Sequence, residues 1–230
     1  MHHPDHDAPP FNPVPPAVWA LAAALVLPEL IFQAGARGLA GGPEGVGWRV
    51  DAIARFGFVD SVFEYMRTNA VWPLEGVWRF VTYAFIHQGA LHMLMAVVIL
   101  LAMGNFTARV FHPVALVGVF LTAAAAGALA YGLVVDVQAP PLFGAYPAVY
   151  GLIGLYTWAL WTMADKLGRN PWAAFQLIGI LVVLQVIFSL IGGHWYDLAA
   201  DMAGFATGFA LATPAAPGGL SHLRKKLQGR

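Results

Sequence analysis

Long apolar stretches separated by short polar connections make up most of this chain. Six of them reach or approach the roughly 20 residues that a helix needs to cross a bilayer. They cover residues 17–35, 80–103, 113–135, 147–164, 172–191 and 198–216. Because a backbone in lipid must satisfy its hydrogen bonds internally, we expect helices rather than the alternating strands of an outer-membrane barrel. The pattern therefore predicts an all-α, polytopic membrane protein built as a six-helix bundle.

The composition agrees with a bilayer environment. Hydrophobic residues make up 59% of the 230 residues and charged residues 10%, whereas soluble domains contain about 45–50% apolar and about 25% charged residues. Twelve Lys and Arg balance twelve Asp and Glu, so the chain offers no basic field to phosphates and we expect no nucleic-acid partner. The chain contains no cysteine, which excludes thiolate metal sites and cysteine nucleophiles.

The distribution of proline and of cations predicts that the chain is divided into three regions. Residues 1–16 form a proline-rich tail that we expect to be disordered, residues 17–213 form the membrane domain, and residues 214–230 form a basic tail. Six spans put both termini on the side that holds most cations of the short loops, and the positive-inside rule makes this side the cytoplasm, in a bacterial inner membrane. The tail histidines could bind a metal, but a disordered tail is the simpler interpretation; they are His2, His3 and His6.

The first loop, residues 36–77, is too long for a tight connection and too polar to span. Apolar residues recur within it every three or four positions: Ile53, Phe56, Val59, Phe63 and Met66. Charged residues occupy the other faces, which is typical of an amphipathic helix. Two interpretations have equal weight, namely a helix lying in the outer membrane interface and a small extramembrane cap packed on the bundle.

Several ionisable residues fall within the predicted spans, where they are costly and therefore mark candidate sites. Glu29 follows Pro28 in the first span, and the missing proline N–H predicts a kink there. His87 and His92 are five residues apart, which places them on different faces of a helix rather than together as a metal pair. We expect neither a metal nor a cofactor.

A further carboxyl, Asp201, lies in a run of small residues in the sixth span. The spacing of Gly204 and Gly208 allows the backbone of another helix to approach closely. We therefore expect this span to be packed centrally, with Asp201 facing protein.

Three separate regions of the chain resemble the rhomboid intramembrane serine proteases. The sequences WRFVT at 78–82 and FIHQGALH at 85–92 resemble the segment that leads into the second rhomboid helix. The start of the fourth helix is similar to GAYPAVYGLIG at 144–154, and the start of the sixth to DLAADMAGF at 197–205. Their order and spacing imply a rhomboid-like fold from about residue 17 to residue 212.

The resemblance implies that all three catalytic positions of the family are altered here. The serine nucleophile corresponds to Tyr146, and the glycine that follows it corresponds to Pro147. The general-base histidine corresponds to Asp201. An asparagine that helps to hold the oxyanion corresponds to Ala96.

Other positions are as in the family. The resemblance implies a structural role for His87 and a role in oxyanion binding for His92. Tyr150 is similar to a tyrosine that packs near the active site. Trp78 and Arg79 resemble an interfacial anchor, with the indole at the headgroup level and the guanidinium available to carbonyls or lipid phosphate.

The substituted residues make a poor catalytic pair. A phenolate, with a usual pKa of about 10, is a good leaving group, so an acyl-tyrosine forms uphill from an amide. A carboxylate with a usual pKa of about 4 is a weak base for a phenol at neutral pH. The ring of Tyr146 would also fill the place of a scissile carbonyl. We expect its hydroxyl to lie within hydrogen-bonding reach of Asp201, His92 or both.

Two functional hypotheses follow. The first is a rhomboid-like membrane pseudoprotease that binds transmembrane segments of client membrane proteins without cleaving them. The alternative is an active rhomboid serine-type endopeptidase that uses a displaced nucleophile such as Ser189, Ser61 or Thr207. The expected partners are the lipid bilayer and the client segments, and the oligomeric state stays open.

Overall fold

The chain folds into helices joined by short turns, and the computed structural model describes residues 14–135, 139–192 and 195–219. Nine α-helices lie in these ranges: α1 (Pro16–Ala36), α2 (Trp48–Phe56), α3 (Asp60–Asn69), α4 (Leu74–Thr82), α5 (Ala90–Thr107), α6 (Pro113–Val134), α7 (Tyr146–Lys166), α8 (Gln176–Gly192) and α9 (Tyr196–Ala215). Three 3₁₀ turns accompany them: Gly42–Gly47, Tyr83–Phe85 and Pro171–Phe175. The tail histidines His2, His3 and His6 and the cations of the basic tail lie outside the described residues.

Six long helices, α1 and α5 to α9, confirm the predicted all-α polytopic class. Within the part of the chain that the structure describes, four segments are long and apolar enough to cross a membrane: Pro16–Ala36, Ala90–Thr107, Pro113–Val134 and Pro171–Ile191. Helices α7 and α9 are less apolar because Tyr, Gly, Thr and Asp interrupt their sequences. Both lie at the centre of the bundle, where protein rather than lipid surrounds them.

The boundary of the second span is wrong in the sequence-based prediction. The apolar stretch begins at residue 80, but the spanning helix α5 begins at Ala90. The residues before it form the end of α4, a 3₁₀ turn and an extended segment. Tyr83 and Ala84 of this turn are fully buried, so the apolar character of the segment reflects burial against the bundle and not contact with lipid.

The centre of the bundle is the contact of α9 with α7, and both helices also pack on α6. A Cβ added at Gly204 would overlap with the carbonyl oxygen of Pro147, and one added at Gly208 would overlap with that of Gly151. The two backbones therefore touch through small residues, as helices in lipid commonly do. Asp201 is 4% exposed, because it lies on the part of α9 that packs inside the bundle.

The first loop folds into the 3₁₀ turn Gly42–Gly47, helices α2 and α3, and the start of α4, and residues 57–59 separate α2 from α3. Phe58, Phe63 and Met66 are buried, and the Phe58 ring lies 5.7 Å from that of Phe63 and 5.1 Å from that of Phe80. Gly132 of α6 leaves room for this cluster, since a Cβ there would come within 2.6 Å of the Phe63 ring. This packing favours the cap over a helix that lies only in the interface.

The same loop is tied to the segment before α7. Phe58 and Leu142 form a single antiparallel bridge, in which each N–H donates to the other carbonyl oxygen at 3.0 and 2.8 Å. Both side chains are buried. The bridge therefore holds the chain that enters α7 against the cap, and it restricts where the first residues of α7 lie.

Candidate functional site

A sharp turn places the first residues of α7 against α5. Gly144 has a φ of +112°, a conformation that favours glycine, and its N–H donates to the carbonyl oxygen of Tyr83 at 3.0 Å. A Cβ at this position would lie 2.7 Å from the His92 ring. Tyr146 begins the helix and Pro147 lies in its first turn, where the absent proline N–H leaves no donor unpaired.

The Tyr146 ring packs on His92. The two rings are stacked, with centroids 5.1 Å apart and planes inclined by 26°. The backbone N–H of Gln88 donates to Nδ1 of His92 at 3.3 Å, which leaves the proton of a neutral imidazole on Nε2. The ring of Tyr146 is half-buried and is directed into the protein instead of the lipid.

His87 lies behind His92, in the segment that precedes α5. The two imidazoles meet edge to face at 5.4 Å and 76°. His87 is 1% exposed, and neither of its ring nitrogens has a hydrogen-bond partner among the described residues. Burial lowers the pKa of His87 to about 4, so the ring is neutral at neutral pH. Its contribution is packing against His92.

The expected hydrogen bond of the Tyr146 hydroxyl is not formed. Within the described ranges, no hydrogen bond joins this hydroxyl to Asp201 or His92; the ring contact with His92 takes its place. Asp201 accepts instead from Nε2 of Gln185 at 2.6 Å. The physical reason is the ring contact with His92, because stacking fixes the orientation of the phenol ring and thus the place of its hydroxyl.

Gln185 is the residue of the site that the sequence reasoning missed. Its Nε2 donates to Asp201, and its Oε1 accepts a longer hydrogen bond of 3.4 Å from the Tyr150 hydroxyl. One amide thus joins α7, α8 and α9. A signal was present, since an isolated polar residue within a long apolar run is costly in lipid and marks a candidate site.

The positions that the resemblance aligns with the family's catalytic residues make contacts of other kinds. Oδ2 of Asp201 accepts a hydrogen bond from the Gln185 amide. Ala96 is fully buried on α5 and has no polar side chain to hold an oxyanion, and Pro147 has no backbone N–H to donate. Among the described residues, these positions therefore hold no nucleophile next to a base and no side-chain amide for a developing negative charge.

A cavity of about 520 Å³ opens between α5 and α8 beside these residues. His92, Tyr146, Pro147 and Asp201 line it, together with the segment before α7 and apolar residues of α5 and α8. His87, Tyr150 and Ala96 are not part of this lining. The structure thus brings four of the predicted site residues to one cavity and leaves the others behind its wall.

Helix α8 forms one wall of the cavity and packs sparsely on the rest of the bundle. Only 11% of the apolar 18-residue stretch within Pro171–Ile191 is buried inside the protein, whereas 44% of the corresponding stretch within Pro113–Val134 is buried. Its main neighbours are its own preceding 3₁₀ turn and α9. The cavity is therefore bounded on its lipid side by the least buried of the four apolar segments.

Trp78 and Arg79 fasten α4 to the end of α2. The Arg79 guanidinium donates through Nη1 to the carbonyl oxygens of Ala54 and Gly57 at 2.9 and 2.8 Å. The Trp78 ring lies 6.3 Å from that of Phe56. These contacts satisfy carbonyls where α2 ends, so the arginine binds the cap internally.

A second buried carboxyl, Glu29, is paired across the first loop. Gln33 donates to its Oε1 at 2.8 Å, and Arg49 contacts both of its oxygens. The Arg49 guanidinium also donates to the backbone carbonyl of His87. Sequence reasoning identified Glu29 as costly, but nothing in the spacing of the chain pointed to Arg49 as its partner.

Comparison with models of protein families shows which family the chain belongs to. A model of the Rhomboid domain family matches residues 74–217, which is more than half of the chain. The matched range starts at α4 and includes α5 to α9, and thus contains the cavity and every residue that lines it. No curated protein matches this sequence.

Proposed function

This chain belongs to the rhomboid family of membrane proteins, and we propose that it acts as a pseudoprotease that binds the transmembrane segments of other membrane proteins without cleaving them. It is an integral membrane protein with an all-α polytopic fold. The binding of client segments affects their stability or trafficking, and no peptide bond is broken.

The stacking of Tyr146 on His92 is the observation that carries this proposal. The aromatic ring lies at the start of α7, where the family has a serine, and it contacts the face of the His92 imidazole by stacking and not by a hydrogen bond to a ring nitrogen. Asp201 lies where the family has a histidine, and its carboxyl is occupied by Gln185. Among the described residues, no hydrogen bond joins the Tyr146 hydroxyl to the Asp201 carboxyl, so the contact needed for proton transfer between them is not formed.

The position of the cavity supports binding from the membrane plane. Its walls come from α5 and α8, and α8 has few contacts that would resist displacement. A client helix that approaches between these two helices meets an apolar surface with a small polar region at Asp201. Such a surface suits a transmembrane segment, because apolar side chains pack on it and an occasional polar side chain finds a partner.

No contact of the described residues favours the alternative of a displaced nucleophile at Ser61 or Thr207. The Thr207 hydroxyl donates to the carbonyl oxygen of Ala203 in its own helix at 2.7 Å. Ser61 is exposed on α3, away from the lining of the cavity. Ser189, the third candidate, is tested with the other two below.

Catalytic activity is tested with the full-length protein in liposomes that contain a model transmembrane substrate. We expect no cleavage product and no labelling by a fluorophosphonate, while an active serine protease gives both in parallel. A product that disappears in Ser189→Ala, Ser61→Ala or Thr207→Val would establish the alternative. A product that disappears only in Tyr146→Phe would show that the phenol itself is the nucleophile.

Client binding is tested by photo-crosslinking, for which the absence of native cysteine is an advantage. Ile99→Cys places a single thiol in the lining of the cavity, and this thiol is modified with a benzophenone. Leu133→Cys is the matched control, because Leu133 is 61% exposed on α6 and lies outside the lining. We expect a transmembrane peptide to crosslink at position 99 and not at position 133. Equal yields at both positions would contradict binding at this cavity.

A further inference from the structure

We propose that the cavity between α5 and α8 selects membrane segments that carry a Lys or Arg within the bilayer, and that this side chain replaces Gln185 as the partner of Asp201. The inference rests on the proposed function, because it names the class of segment that the same cavity binds.

The lining of the cavity contains the buried carboxyl of Asp201, and its described residues include no Lys or Arg. The partner that Asp201 does have is a neutral amide. A Lys or Arg side chain donates a hydrogen bond to a carboxyl as an amide does and adds Coulombic attraction, which is strong in the low-dielectric interior of a membrane bundle. A basic side chain is therefore the better partner for this site.

Gln185 is placed so that it can be replaced. It belongs to α8, which packs sparsely on the remainder of the bundle, and it is half-buried. Its hydrogen bond to Tyr150 is long, at 3.4 Å, so the link to Asp201 is its main polar contact. Outward displacement of α8 separates Gln185 from Asp201 and opens the same gap through which a client helix approaches. The Gln185–Asp201 hydrogen bond thus holds α8 to α9 when no client segment is bound.

The remaining walls suit the rest of such a segment. The lining includes the apolar side chains of Met95, Ile99, Leu181, Leu184 and Phe188. A Lys or Arg buries its methylene groups along apolar surface and carries its charge to a partner at the end. An apolar client helix therefore packs on these walls while its one basic side chain reaches Asp201.

The test compares three transmembrane peptides that differ at one central position, which is Leu, Gln or Lys. Each is added to liposomes that contain the Ile99→Cys protein labelled with a benzophenone. We expect the Lys peptide to crosslink about fivefold more than the Leu peptide, with the Gln peptide between them, as one additional interhelical hydrogen bond in lipid implies. Equal yields for the three peptides would overturn the inference and leave the proposed function intact, whereas the absence of any crosslink would contradict both.

Variants identify the groups responsible. In Asp201→Asn, which is nearly isosteric and still accepts from Gln185, the ratio of Lys to Leu yields should fall to about one. In Gln185→Leu the ratio should rise, because the competing donor is gone. Gln176→Leu is the matched control, since Gln176 is exposed at the first position of α8 and outside the lining, and its ratio should equal that of the parent. A ratio that stays high in Asp201→Asn would show that Asp201 is not the partner and would overturn the inference.

Discussion

Arg49 and Glu29 form a two-armed ion pair between the first loop and the bundle: Nη1 donates to Oε2 at 2.7 Å and Nη2 donates to Oε1 at 2.8 Å. Glu29 is 1% exposed, and the Arg49 side chain is 20% exposed. The pair therefore fastens α2 to α1 through a carboxyl that water scarcely reaches. Because Arg49 also contacts the carbonyl of His87, it holds together three segments that are distant in sequence.

The first prediction concerns this ion pair. Replacing Arg49 by Met leaves a buried carboxylate without its counter-ion, and we expect the free energy of unfolding to fall by about 3 kcal/mol. Unfolding of the purified protein in detergent, followed by circular dichroism, measures the change. Arg67→Met is the control, since Arg67 pairs with Glu64 on the exposed surface and its loss should have no measurable effect. Similar losses in the two variants would contradict a special role for the Glu29 pair.

The second prediction separates the ring of Tyr146 from its hydroxyl. Because the ring stacks on His92 and the hydroxyl bonds to neither His92 nor Asp201, Tyr146→Phe should change stability by less than about 0.5 kcal/mol. Tyr146→Ala removes the stacked ring and should cost roughly 2 kcal/mol. Thermal unfolding of both variants provides the measurement. A Phe variant as unstable as the Ala variant would show that the hydroxyl has a partner and that stacking is not the dominant contact.

The third prediction uses the same substitution at two glycines. Gly204→Ala introduces a Cβ that overlaps with the carbonyl of Pro147, so α9 must move away from α7; we expect a loss of about 2 kcal/mol or more. In Gly118→Ala the new Cβ meets nothing within 4 Å, and the variant should be unchanged or stabilised by up to about 1 kcal/mol. Denaturation in sodium dodecyl sulfate compares the two. Equal tolerance of both substitutions would mean that the α7–α9 contact is looser than described.

The fourth prediction is a dependence on pH. Burial lowers the pKa of His87 from its usual 6.5 to about 4, so between these values the unfolded chain binds a proton that the folded chain excludes. Stability should therefore fall as the pH is lowered through this window, and this histidine alone accounts for about 2 kcal/mol between pH 7.5 and pH 5. His87→Phe, measured at the same two pH values, should remove that part of the difference. An unchanged pH difference in His87→Phe would assign the effect to other groups.

Much of the fold could be predicted from sequence because hydropathy is a local property. The lengths of the apolar runs located the third span closely, at Pro113–Val134 in the structure. The predicted start of the second span was less accurate, because a sequence that is apolar through burial in protein has the same hydropathy as one that faces lipid. Only the packing of Tyr83 under the bundle distinguishes the two.

The site was less predictable than the fold. The sequence identified Tyr146 and Asp201 as unusual residues through their positions in family motifs, and their proximity to one cavity agrees with those motifs. The contacts that these two residues make were not predicted. Tyr146 packs on His92 by ring stacking, and Asp201 bonds to Gln185 on a helix that the motifs do not include.

By itself, then, the sequence determined that this is an all-α membrane protein, where most of its long helices lie, and which ionisable side chains must find partners inside the bundle. Only the tertiary structure determined which residues are those partners. Gln185 is 16 residues from Asp201 and Arg49 is 20 residues from Glu29, and in each pair the two residues lie on different helices. The physical reason is that hydropathy and helical periodicity act within one segment, whereas a hydrogen bond between segments depends on the rotation and depth at which two helices pack. A carboxyl in an apolar segment indicates that a hydrogen-bond donor is needed, but the packing of the helices determines which residue is that donor.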